Sequence, residues 1–163
     1  MKKITSKLID ALTDRAGAHV RKRTNHNMHE SPADPIQRLL IAAKRDSYFR
    51  PHRHPQTWEF AVVLRGQFDV VLLDDSGLVT ERMAVGPAAD TIGFELPANA
   101  WHVWLPAADD SVFLEIKQGP YDASQAADFA AWSPAEGAPQ VDRFVEILRQ
   151  AKVGDCVAQP PVG

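Results

Sequence analysis

Intrachain disulfides are excluded, because Cys156 is the only cysteine, and a reducing cytoplasm is the expected home. The chain also lacks anything close to the roughly 20 consecutive apolar residues of a membrane-spanning helix. Its start, Met1-Lys2-Lys3-Ile4, is not followed by an apolar signal segment. Charge of one sign is missing too: 21 acidic and 18 basic residues leave a formal net charge of −3, too little for a field that attracts a polyanion. The one dense basic cluster, His19-Val20-Arg21-Lys22-Arg23, reads as a solvated segment after a helix. Neither a nucleic acid nor a membrane is therefore expected as a partner. No internal repeat is found. What is present is apolar material, 45% of 163 residues, enough for one globular domain that buries about 70% of its unfolded surface.

Turn residues divide most of the chain into short segments. Residues 7–16 carry Leu8, Ile9 and Leu12 at helical spacing, with Ser6 as the expected cap and Gly17 as the stop. Residues 23–32 have no period and many side chains able to satisfy local backbone groups, so an ordered loop is expected. Strands are predicted over 36–42, 48–54, 58–64, 67–73, 78–84, 91–96, 101–105 and 111–117, with Arg65-Gly66 as a hairpin turn. About eight strands with no helices between them predict an all-β antiparallel double-sheet or barrel fold. Val141, Phe144, Val145 and Leu148 then predict a second helix over 141–151 that docks on a sheet, and 154–163 a flexible tail.

Within this frame, Arg50-Pro51-His52-Arg53-His54-Pro55-Gln56-Thr57-Trp58-Glu59 is the most informative run. Alternate side chains of an extended strand share a face, so His52 and His54 point the same way, and a short connector can return Glu59 to them. His102, after Pro97-Ala98-Asn99-Ala100-Trp101, adds a third imidazole. A lone buried histidine usually satisfies a core hydrogen bond, and Glu59 alone could lie on a strand surface. Three imidazoles and a carboxylate together can cage one divalent transition metal, Fe, Mn, Zn or Ni.

The spacing His52-x-His54, four residues, Glu59, six residues, Gly66 resembles the first motif of the cupin superfamily, in which these positions bind a metal. Pro97 and His102 keep the spacing of the second motif. Asp46 and Asn99 stand where the family has glycine, and Pro106 where it has asparagine, yet no ligand position is lost. Asn99 is a mild change, since asparagine tolerates the left-handed conformation. A narrower likeness lies in Arg23-x-Asn25-x-Asn27-x-His29, Asp34-Pro35-Ile36-Gln37-Arg38 and Tyr48-x-Arg50-Pro51-His52-Arg53-His54, which resembles the WbuC-type cupins. The resemblance implies a double-stranded β-helix, the RmlC-like jelly-roll barrel, with short terminal helices. It implies a single cupin domain over 1–153: barrel core about 36–117, N-terminal helix and loop 5–35, C-terminal helical region 123–153. It also implies a link to bacterial surface-polysaccharide (O-antigen) metabolism.

Continued alternation places Tyr48 and Arg50 inside the barrel beside His52, and Trp104, Ala61 and Val63 inside from the other ligands. Arg50 could pair with Glu115, the favoured reading, or meet a substrate anion. Trp104 could pack or stack on a sugar, and His29 could hold its loop or fold over the barrel mouth. Tyr48, Arg50, Trp104 and His29 are thus the candidate substrate-binding residues. Three functions stay open: a metal-dependent enzyme on a small polar metabolite such as a sugar or sugar nucleotide, with isomerase, epimerase or dioxygenase chemistry; a non-catalytic binding or sensing cupin; and a metal-free sugar epimerase. Apolar outer positions Val62, Leu64, Val71 and Leu73 call for cover, by a homodimer or by the two terminal helices.

Overall fold

The computed structural model describes residues 1–124 and 126–158. In chain order the elements are α1 (Ser6–Ala18), β1 (Arg23–Asn27), β2 (Ile36–Ala43), β3 (His52–Arg53), β4 (Glu59–Arg65), β5 (Phe68–Leu73), β6 (Val79–Val85), β7 (Gly93–Leu96), β8 (Trp101–Pro106), β9 (Ser111–Gln118), β10 (Asp128–Phe129) and α2 (Val141–Gln150). Two five-stranded sheets result, ordered β1-β2-β9-β4-β7 and β10-β3-β8-β5-β6, with every strand pair antiparallel. This is the all-β antiparallel double-sheet architecture that the sequence predicts. No described helix is long and apolar enough to cross a membrane.

Aromatic side chains join the two sheets. Trp104 of β8 stacks on Phe113 of β9 at 4.1 Å and 6°, and Phe68 of β5 meets both rings edge-on at 5.3 and 5.2 Å. All three are fully buried, and each such pair contributes about 0.5–1.5 kcal/mol beyond its burial. Ala61 and Val63 are buried on the same inner faces, as alternation from Glu59 predicts.

The terminal helices close the outer faces. Ile9, Leu12 and Ala16 of α1 pack with Leu40, Ala42, Val112 and Leu64, whereas Phe144 and Leu148 of α2 join the cluster that holds Val71 and Leu73. Leu64, Val71 and Leu73, three of the four apolar positions that called for cover, thus pack in clusters with a terminal helix, and Val62 is half-buried.

Several expected boundaries move. Thr5, not Ser6, caps α1, accepting from the Leu8 N–H at 3.2 Å, and the helix runs through Gly17 to Ala18. The expected loop over 23–32 begins instead as β1. Extended pairing over 48–54 shrinks to β3, because Pro51 has no N–H to give a ladder. Part of the expected tail is docked: Leu78 bridges Cys156, Val157 is buried, and the Val79 N–H donates to the Asp155 carbonyl at 2.9 Å. Residues 159–163 of that tail lie outside the described residues.

The β4–β5 turn depends on Gly66. Its φ is 67°, and a Cβ there would lie 2.6 Å from Ser111 Oγ and 2.8 Å from Ser111 Cα. Ser111 cannot yield easily, since its hydroxyl bridges the turn by donating to the Gln67 carbonyl at 3.0 Å. Gly66→Ala should therefore cost at least about 2 kcal/mol, the left-handed penalty plus the clash. Urea unfolding checks this. Asn99→Gly, at φ 70°, serves as the comparison, and its midpoint should stay within a few tenths of a kcal/mol of native.

Candidate metal centre

The four ligand candidates come together from both sheets. His52 of β3 lies opposite His102 of β8, and Glu59 reaches across from β4 in the other sheet. His54, one residue past β3, is held by the Asn99 N–H, which donates to its carbonyl at 2.7 Å. The left-handed Asn99 thereby ties the segment before His102 to the first pair of histidines. Ring centroids lie 4.3 Å apart for His52 and His102, 5.2 Å for His52 and His54, and 5.7 Å for His54 and His102.

Each imidazole is oriented by a backbone carbonyl. Nδ1 of His52 lies 2.9 Å from the Arg50 carbonyl, Nδ1 of His102 lies 3.0 Å from the Ala100 carbonyl, and Nδ1 of His54 meets the Ala126 carbonyl. A carbonyl only accepts, so Nδ1 carries the ring proton and Nε2 is left as a bare lone pair. Potential ligand atoms of the three rings lie within 4.8 Å of one another. Oε2 of Glu59 is 3.1 Å from Nε2 of His54 and 3.5 Å from Nε2 of His102. These contacts lack hydrogen-bond alignment, and both Glu59 oxygens and Nε2 of His102 are buried with no hydrogen-bond partner. Lone pairs facing one another at cis-ligand spacing, about 3 Å for 2.1 Å metal bonds, fit a divalent ion.

Electrostatics agree with that donor set. Burial works against ionisation of Glu59, but His102 and His54 outweigh it and hold the carboxyl well below the usual carboxylate range. Burial, aided by His102 and His54, holds His52 well below the usual imidazole range. Burial also opposes charge on His102, yet the Glu59 carboxylate beside it lifts the ring above its usual value. Proton and metal ion are thus rivals for the same lone pair.

A cavity of about 310 Å³ opens over the donors, with Arg50, Trp104, Phe113, Glu115 and Lys117 in its wall. Arg50 does not pair with Glu115 as favoured. Its guanidinium donates to Ser133 Oγ at 3.0 Å and to the Ala130 and Ser133 carbonyls at 2.9 and 3.1 Å, so its charge is spent on the chain after β10. Glu115 instead lies 2.6 Å from Lys117 Nζ. Tyr48 is buried but does not line the donor cavity: its hydroxyl donates to the Pro134 carbonyl at 2.9 Å and its ring meets Phe144 edge-on. His29 is buried beside the Arg38 backbone, whose N–H donates to Nδ1 at 3.0 Å, and lines a neighbouring cavity. Sequence reasoning missed Lys117, Tyr121 and Phe129 in these walls; a lysine two residues from an inward Glu115 was the available signal for the first.

Residues 4–85 match the protein family described as a domain of unknown function, DUF6016. The chain belongs to this family. The DUF6016 match includes His52, His54 and Glu59 and ends before His102. No curated protein matches the DUF6016 chain. Among solved structures, a Shewanella oneidensis protein is similar at 10% identity and TM-score 0.55, over 88% of this chain and 90% of that one. L-ribose isomerase of Cellulomonas parahominis follows at 12% and 0.53, over 71% and 72%, and a recombinant oxalate oxidase in complex with glycolate at 14% and 0.52, over 82% and 69%. These likenesses establish the cupin fold.

Arg50 also generates a measurable expectation. Arg50→Lys keeps the charge but not the three-way fork. The Ala130 N–H, bonded to the Pro51 carbonyl at 3.0 Å, should then exchange with deuterium at least several-fold faster than in the native chain, while amides of β5 stay unchanged.

Proposed function

We propose that the chain binds one divalent transition metal through His52, His54, Glu59 and His102 and acts as an enzyme on a small polar metabolite, a sugar or sugar nucleotide of bacterial surface-polysaccharide metabolism. The supporting observation is the carbonyl anchoring of three Nδ1 atoms, which leaves three clustered Nε2 atoms bare, those of His54 and His102 within 3.5 Å of a buried Glu59 carboxylate that has no hydrogen bond. A core built only for stability would not leave these groups unpaired, since each unsatisfied buried polar group costs about 1–3 kcal/mol. The sugar reading draws on the WbuC-like residues and on the fold shared with L-ribose isomerase. A metal-free epimerase would have no need of Glu59 among the imidazoles.

When bound, the ion would supply Lewis-acid activation of a substrate oxygen. The chain supplies the rest. Burial, with the Glu59 charge, raises the Glu115 carboxyl above the usual carboxylate range, and Lys117 offsets part of this. Oε1 of Glu115 lies 2.6 Å from Lys117 Nζ, so the two form an ion pair at the cavity wall that a ligand hydroxyl can meet. Trp104 and Phe113 form an apolar floor that excludes water beneath the donors. Arg50 anchors the segment carrying Phe129, whose ring lies 6.1 Å from His52, and so shapes the cavity rim. His29 borders the adjoining cavity, and Tyr48 contributes by positioning the Arg50 segment.

Metal content by elemental mass spectrometry, on protein purified anaerobically without an affinity tag, tests the proposal. Near-stoichiometric iron, manganese, zinc or nickel is expected in the native chain. His54→Ala and Glu59→Gln should each weaken binding by more than the roughly 10–100-fold that loss of an outer-shell partner costs. A native chain that stays metal-free after reconstitution overturns it.

A further inference from the structure

We propose that the inner face of β1, through Asn25 and Asn27, together with Tyr121, is a second subsite that receives the distal ring of a saccharide longer than one ring. The proposal rests on the metal-centre reading only for where the first ring lies.

Strand register carries the geometry. One row of cross-strand partners runs Ala61, Glu115, Leu39, Asn27, and the next runs Val63, Phe113, Ile41, Asn25. Each row starts on β4, the strand of Glu59, and ends on β1. Three inter-strand spacings of about 4.8 Å make that path roughly 14 Å, longer than a single sugar ring needs. The path is also open. A cavity of about 480 Å³ over β1 is lined by Asn25, Asn27 and His29, and shares Phe49, Glu115, Lys117 and Tyr121 with the cavity over the donors.

The lining chemistry selects the ligand. Asn25 Nδ2 donates to Asn27 Oδ1 at 2.6 Å, which leaves Asn25 Oδ1 and Asn27 Nδ2 without partners among the described residues. One acceptor beside one donor complements neighbouring hydroxyls, each of which both donates and accepts. Tyr121 is 50% exposed and borders both cavities, offering an apolar ring face with a polar tip. Of the cations nearby, Lys117 pairs with Glu115, and Arg21 and Arg23 share the one carboxylate of Glu136. The amides of Asn25 and Asn27 are themselves uncharged, so the contact they offer suits hydroxyls. Asn25 and Asn27 stand exposed on this edge strand, on the face away from α1, so their free amide groups are open to a ligand.

Saturation-transfer NMR on the full, metal-quantified chain tests the subsite, using cellobiose, lactose and mannobiose, each against its monosaccharides. At least one disaccharide should receive saturation on both rings. In Asn25→Ala/Asn27→Ala, transfer to the second ring should fall at least twofold, with monosaccharide signals, metal content and thermal midpoint unchanged; Tyr121→Ala should lower second-ring transfer at least twofold as well, and Tyr121→Phe should retain it. Absence of transfer to every disaccharide, or second-ring transfer indifferent to these substitutions, overturns the subsite. A native chain that takes no metal yet shows the Tyr121-dependent contact would sink the metal reading and leave the subsite standing.

Discussion

Glu59 is 2% exposed, and sealing an ionised carboxylate between two sheets costs several kcal/mol unless positive or donor groups meet it. Those groups come from the opposite sheet, as His54 and His102, and they can meet Glu59 only if the two inner faces stay in one register and at one separation. The stack of Trp104, two residues beyond His102, on Phe113, the cross-strand partner of Val63 four residues beyond Glu59, fixes both. Packing and site are consequently one problem: the aromatic floor that joins the sheets also sets the height at which the donors face each other.

The imidazoles add a second demand, orientation about their own axes. Two of the three carbonyls that provide it are local, two residues before His52 and before His102. These need nothing but the backbone path through Pro51 and through the left-handed turn at Asn99. The third, from Ala126, arrives from the chain beyond β9 and crosses the mouth of the donor cluster. That same stretch takes up Arg50 at Ala130 and Ser133, Tyr48 at Pro134, and Arg21 and Arg23 at Glu136. A strap of non-repetitive chain is thus fastened at several points to the rim of the site.

Much of this could be read from the residues. Ligand spacing, the turn glycine and the inward direction of Ala61, Val63 and Trp104 follow from period-2 alternation, which holds wherever one face of a strand meets a dry core. Where that condition fails, the reading fails. β1 looked like a loop because Arg23, Asn25 and Asn27 turn toward a wet cavity, so neither face of the strand is simply apolar. Arg50 does line the cavity beside His52 and His54, as alternation places it, but its partners are Ala130 and Ser133 rather than Glu115. Val157 was left in a tail because one buried side chain has no period at all. The partners of Arg50 and His54 lie about 80 residues downstream in irregular chain, where no pattern marks them.

The Ala126 carbonyl also gives the centre a history. His54 is synthesised 72 residues before the carbonyl that orients it, an interval of roughly 4 to 14 s at 5–20 residues per second. During that time Glu59 and the first two histidines exist without their full geometry, and a nascent chain offers any passing ion only an unoriented set of ligands. The fully oriented donor set therefore exists only once the chain has been made through Ala126, and an ion that meets these residues earlier meets them unoriented.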